Sequence, residues 1–130
     1  SSLTGTFGGA LTNGAANDRS YPFTYTISTT NTWEQKTITV VGDTTGTWDI
    51  TNSIGIKVNW SLGTGTDRSE TAGSWVSGSY FSVTGATSVV GTSGATFYLT
   101  GVQLEKGSTA TDFEYVDYGR QLQQCRRYYQ

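Results

Sequence analysis

The chain has 130 residues, enough for one domain that buries roughly two-thirds of its unfolded surface. Charged residues make up 14% and the net charge is −2, which leaves no basic face for a nucleic acid, and no apolar run reaches membrane-spanning length. With no His and one Cys, His-dependent triads, His metal sites, zinc clusters and an intrachain disulfide are excluded.

Four Trp, eight Tyr and five Phe supply the large apolar groups of a core, so this is not a disordered composition. Abundant Thr favours strands, 17 Gly favour turns and a single Pro leaves ladders intact. The class expected is all-β with many tight turns. A small β domain without disulfides fits folding in a reducing cytoplasm. Cys125 reads as a small core or interface residue. No Met is present, and no Gly or Pro follows Tyr128-Tyr129-Gln130. Both ends therefore read as cut from a longer polypeptide, or as a processed N-terminus with an exposed C-terminus.

Residues 1–18 are rich in Gly and small side chains, with Phe7 and Leu11 as the large apolar groups after Thr4. They predict a weak strand followed by a loop. From Arg19 to Thr29, Tyr21, Phe23, Tyr25 and Ile27 alternate with Pro22, Thr24, Thr26 and Ser28, the pattern of a half-buried strand. Pro22 cannot donate to a ladder, which places the start of that strand at an edge or a bulge. Residues 31–34 form a turn into a strand over Gln35–Val41, with Trp33 as a core residue or corner plug.

A second alternation runs from Trp48 to Leu62, with Ile54, Ile56, Val58, Trp60 and Leu62 on one face. Trp60 is in phase with this face and counts as core. A polar loop follows over Gly63–Ser74, then short strands at Trp75-Val76 and Tyr80–Val83. Phe97–Glu105 predicts a core strand. Phe97 and Leu99 are out of phase with Val102 and Leu104, so either Gly101 is a bulge or both faces are buried. Asp117 is a plausible N-cap. After it Tyr118, Leu122, Cys125 and Tyr129 recur at four-three-four spacing, one stripe of a short C-terminal helix. An isolated helix of about a dozen residues is marginal in water, so the stripe needs the domain's own sheet or sister chains.

The carboxylates are scattered, and nothing pairs two of them as a glycosidase requires. A structural calcium is conceivable at Asp67 and Glu70 in the Gly-rich loop, but the spacing of an EF-hand is absent and a solvated loop is the simpler reading. No cofactor is expected. Sugar binding needs an exposed aromatic face beside groups that bond hydroxyls. Trp48, after GDTTGT, and Trp75, after a polar loop, have the better claim to exposure among the four Trp.

The segments NTWEQKTITVVGDTTGTW, SIGIKVNWSLGTG and ATFYLTGVQLEKGSTATDFEYVDYGRQLQQCRRYYQ resemble the jelly-roll domains of bacteriophage tail-fibre and related virion proteins. These are in turn similar to carbohydrate-binding modules of the galactose-binding-like β-sandwich type. The resemblance spans Arg19 to Gln130, and the combined tail GVQLEKG…FE…YG…L..C.RYY is its most specific part. It implies a jelly-roll-like antiparallel β-sandwich over 1–116, lacking its first strands, with a packing or oligomerisation helix over 117–130. It further implies a non-enzymatic virion module, made in the host cytoplasm, that forms trimers and meets other virion proteins and a host-surface receptor or glycan. The alternative implied is a carbohydrate-binding module of a secreted polysaccharide-degrading enzyme.

Overall fold

The first 27 residues build the middle of the main sheet in a computed structural model that describes residues 1–14 and 16–128. β1 (Gly5–Asn13) and β2 (Arg19–Ile27) pair antiparallel, from Gly5 opposite Ile27 to Thr12 opposite Ser20. β3 (Ile56–Trp60) adds antiparallel to the free side of β1, and β5 (Val76–Ser77) to that of β2, giving the order β3-β1-β2-β5. A 3-10 turn over Thr66–Arg68 leads into β4 (Ser69–Glu70), which pairs parallel with β6 (Ser82–Val83). The one α-helix described, α1, spans Tyr118–Tyr128. The chain is thus mostly strands and irregular connections, with an antiparallel main sheet and a short C-terminal helix.

By internal contacts the chain forms two units, Ser1–Tyr98 and Leu99–Gln130, dividing upstream of the expected boundary at 116/117.

In the first unit, the period of two places Phe7 and Leu11 of β1 beside Tyr21, Phe23, Tyr25 and Ile27 of β2 on one face. These side chains and Val89 make the core. Phe7 stacks on Tyr25 at 5.8 Å, and the Trp60 ring meets Phe23 and Tyr25 edge-on at 5.5 and 5.6 Å. The other face carries Gly8, Ala10, Thr12, Ser20 and Pro22, small or compact groups that admit a second layer at close range. A Cβ on Gly8 would stand 2.6 Å from Ser82 Oγ and 2.9 Å from Val83 N. Both faces of β1 are buried as a result.

β1 is therefore far more than the weak strand expected, because its glycines permit close packing that hydrophobicity alone does not signal. The alternation of Arg19–Thr29 is borne out by β2. Pro22 sits where β5, paired through Arg19 and Ser20, has ended, and its carbonyl accepts from Gly73 N at 3.0 Å. Where β3 leaves β1, Ser61 N still donates to Gly8 O (3.0 Å), and Thr87 N then donates to Thr6 O (2.7 Å).

Three expected strands differ. Gln35–Val41 forms no ladder, although Ile38 and Val40 lean on the core as their phase requires. The Trp48–Leu62 alternation is reduced to β3, because Asp49 accepts from Thr51 N, Thr51 Oγ1 and Ser53 Oγ and so folds a local turn ahead of it. β3 lies at the sheet edge, which leaves Ile56 and Val58 partly open. Phe97–Glu105 is not a core strand. Phe97 does pack on Phe7, with centroids 5.9 Å apart, but no backbone ladder follows it.

In the second unit Gly101 takes the left-handed conformation at φ +60°, as a bulge would, yet there is no ladder for it to bulge from. Side chains make the links there instead. Gln103 Oε1 accepts from Glu114 N (2.9 Å), and Glu105 accepts from Thr111 N (2.6 Å) and Thr111 Oγ1 (2.7 Å). The two Thr111 bonds, the N–H foremost, lower the Glu105 pKa. Asp117 caps α1 as expected, with Oδ1 accepting from Gly119 N (2.9 Å) and Arg120 N (3.3 Å). Arg126 and Arg127 in the last turn complement the helix dipole.

Candidate functional site

The most open aromatic surface of the first unit lies on the connection that follows β2. Glu34 turns its carboxylate back onto that strand's exit, where Oε1 accepts from Ser28 N (2.9 Å) and Thr29 N (2.8 Å). Its Oε2 meets Lys36 Nζ at 2.5 Å, and this contact is the main cause of a Glu34 pKa below the ordinary 4.5. Asn31 adopts the left-handed region at φ +53°, tolerated by a short polar side chain, and its N–H donates to Ser1 O at 2.7 Å. The turn so clamped presents Trp33, 69% exposed, to Tyr98, 65% exposed. The two rings are 6.5 Å apart and inclined at 59°, so neither covers the other's face. With Asn31 and Thr32 they line an open hollow of ≈ 260 Å³.

Trp33 is therefore not the core residue or corner plug expected from its place at the start of a strand. That strand does not form, and without a ladder to seat it the indole stays at the surface. The signal available in the sequence was its flanking residues, Asn31, Thr32, Glu34 and Gln35, all polar.

Trp48 and Trp75, which have the better claim to exposure on sequence, are less open than Trp33. Both are half-buried and meet edge-on at 5.4 Å, and Trp75 packs on Tyr21 at 5.5 Å. Their indole N–H groups donate to Thr45 O (2.7 Å) and Val41 O (2.5 Å), so both polar handles are used within the chain. Their role in this structure is to pin the 41–48 connection against the sheet.

A polar node secures the same connection. Asn13, fully buried, donates its amide to Asp18 and to Thr47 O (2.8 Å) and accepts from Arg19 N (3.0 Å). Arg19 Nε binds Asp43 Oδ2 at 2.5 Å, with side chains 14% and 6% exposed. That guanidinium, helped by the Thr45 hydroxyl and N–H, holds the Asp43 carboxyl down at about 2. The node is a paired structural contact; its charges are satisfied internally.

Asp67 is exposed on the 3-10 turn, and Glu70 accepts from the neighbouring Thr71 N at 2.8 Å. Among the described residues no three of His, Cys, Asp and Glu are grouped to hold a metal ion. On α1, Tyr118 is 75% exposed, Cys125 is exposed and Leu122 is half-buried; Tyr129, the fourth member of the stripe, lies outside the described residues. No helix among the described residues is long and apolar enough to cross a membrane.

Comparison with protein-family models, with curated proteins and with solved structures found no match for this chain.

Proposed function

We propose that this chain is a non-enzymatic structural module of a bacteriophage virion, of tail-fibre type and jelly-roll-like sandwich architecture. On this reading it assembles as a trimer with other virion proteins and takes part in binding a host-surface receptor or glycan. The observation that carries the proposal is the apolar content of the second unit. Leu99, Val102, Leu104, Phe113, Tyr115 and Tyr118 are all exposed in the single chain, Tyr115 by 93%. Side chains of this kind in water are a cost that assembly removes, at roughly 25 cal/mol for each Å² buried. The stripe of Tyr118, Leu122 and Cys125 on α1 supports the same reading, since an 11-residue helix has little stability without a partner. A carbohydrate-binding module of a secreted enzyme would use open aromatic rings equally well, but would have no need for such an apolar C-terminal unit.

Sedimentation velocity on the full chain tests this. A trimer is expected at micromolar concentration, dissociating when Leu104→Asp and Tyr118→Asp are combined. A wild-type chain that sediments as a monomer over that range would overturn the assembly claim.

A further inference from the structure

We infer that the hollow between Trp33 and Tyr98 is a binding site for a single neutral pyranose ring of a glycan. The inference rests on the reading of the chain as a receptor-binding module, and it locates that activity on residues not singled out by the sequence. Four features carry it.

The first is that a firmly held turn leaves the face of Trp33 in water, with the open ring of Tyr98 beside it. Glu34 clamps Ser28 and Thr29, and Asn31 is tied to Ser1. A preorganised apolar surface binds without an ordering cost. The second is size. At ≈ 260 Å³ the hollow falls below the ~300–1,000 Å³ of sites for drug-sized ligands, and suits one ring at a time.

The third is charge. The lining residues Asn31, Thr32, Trp33 and Tyr98 are all uncharged. The nearest carboxylate in sequence, Glu34, is committed to Lys36 and two backbone N–H groups. An aromatic cage for a cationic ammonium group gains from a nearby anion, and an anionic ligand needs a cation; neither is offered. The fourth is polar valence. Among the described residues the Asn31 side-chain amide has no hydrogen-bond partner, so a donor and an acceptor remain for sugar hydroxyls. Apolar ring faces beside a free amide match a pyranose, whose C–H face is apolar and whose rim is hydroxylated.

The test is a titration of the ¹⁵N-labelled full chain, followed through its indole N–H resonances, with galactose, glucose, mannose and N-acetylglucosamine, and with choline as a cationic control. At least one sugar should shift the Trp33 signal saturably, while Trp48 and Trp75, hydrogen-bonded within the chain, stay in place. Trp33→Ala and Tyr98→Ala should each weaken binding roughly tenfold, and Asn31→Ala by a smaller factor, with thermal midpoints unchanged because these side chains are exposed. Sugar binding that survives Trp33→Ala would overturn this site and leave the receptor-binding reading standing. No response to any sugar would overturn this site as well, while the assembly reading stands or falls separately on the sedimentation result. A Trp33 shift produced by choline alone would make the hollow a cation cage, and one produced by protein concentration alone would make it a chain–chain contact; either sinks the inference.

Discussion

β1 and the segment from Leu99 to Glu105 invert what their compositions suggest. β1 reads Gly-Thr-Phe-Gly-Gly-Ala-Leu-Thr-Asn, with two large apolar side chains, and is buried on both faces. The later segment carries Leu99, Val102 and Leu104 and is exposed throughout. The difference lies in what each can approach. Gly8 lets β6 pack against the main sheet at a distance no side chain would allow, while Phe7 and Leu11 fill the opposite core. Leu99–Glu105 has apolar groups but no backbone ladder; its polar side chains link it to 111–114 and its apolar ones face water. Burial follows from available partners more than from hydrophobicity.

The sharpest way to break this contrast is a pair of truncations. Phe7→Ala should cost about 3–5 kcal/mol of folding stability, since the ring is fully buried between Tyr25 and Phe97. Leu104→Ala, in chains diluted to monomers, should change stability by no more than about 0.5 kcal/mol. Urea midpoints for the two variants decide the matter, and equal losses would mean that the second unit has a core of its own.

A smaller effect should come from acid. Asp43 is held at about 2 against an ordinary 3.8, chiefly by Arg19, so its folded pKa is depressed. The stability it contributes is present above 3.8 and is lost as pH falls through about 2. The thermal midpoint of the first unit should drop across that window, and Asp43→Asn should flatten the drop; an unchanged slope in the variant would assign the acid sensitivity elsewhere.

The smallest effect expected is at Tyr25. Its hydroxyl is buried without a partner among the described residues, and burial pushes its pKa up to about 12. Tyr25→Phe removes an unpaired polar group and keeps the ring that packs on Phe7 and Trp60. Stability should stay level or rise by about 1 kcal/mol in calorimetry. A loss of that size would mean that the hydroxyl has a partner after all.

These cases also mark how far the sequence could be read. The β2 strand was legible because Tyr21, Phe23, Tyr25 and Ile27 alternate with small or polar residues, and the Asp117 cap because its chemistry is local. β1 was not, since glycine reports permission to pack closely and never says what will arrive. Gln35–Val41 shows the reverse: Ile38 and Val40 lean inward in the expected phase, yet the segment pairs with no strand. Trp33 depends on the same segment: at a turn that enters no strand, its indole has no sheet to plug and stays at the surface.

The hydrogen bonds that link Ser2 with Thr96, and Thr6 with Thr87, bear on how the first unit is made. The hairpin of β1 and β2 has only local pairing and can close early. Its other neighbours lie far down the chain, at Ile56–Trp60, Val76–Ser77 and Thr87, and Thr96 ties down Ser2 just ahead of it. Until those residues leave the ribosome, β1 holds an open edge and an uncovered core face. Loop-closure entropy for such distant pairs is met late, so folding should be slow for a unit of this size. During that interval the edge of β1 is the most vulnerable surface on the nascent chain, and the best candidate for a chaperone's attention or a wrong pairing between neighbouring copies.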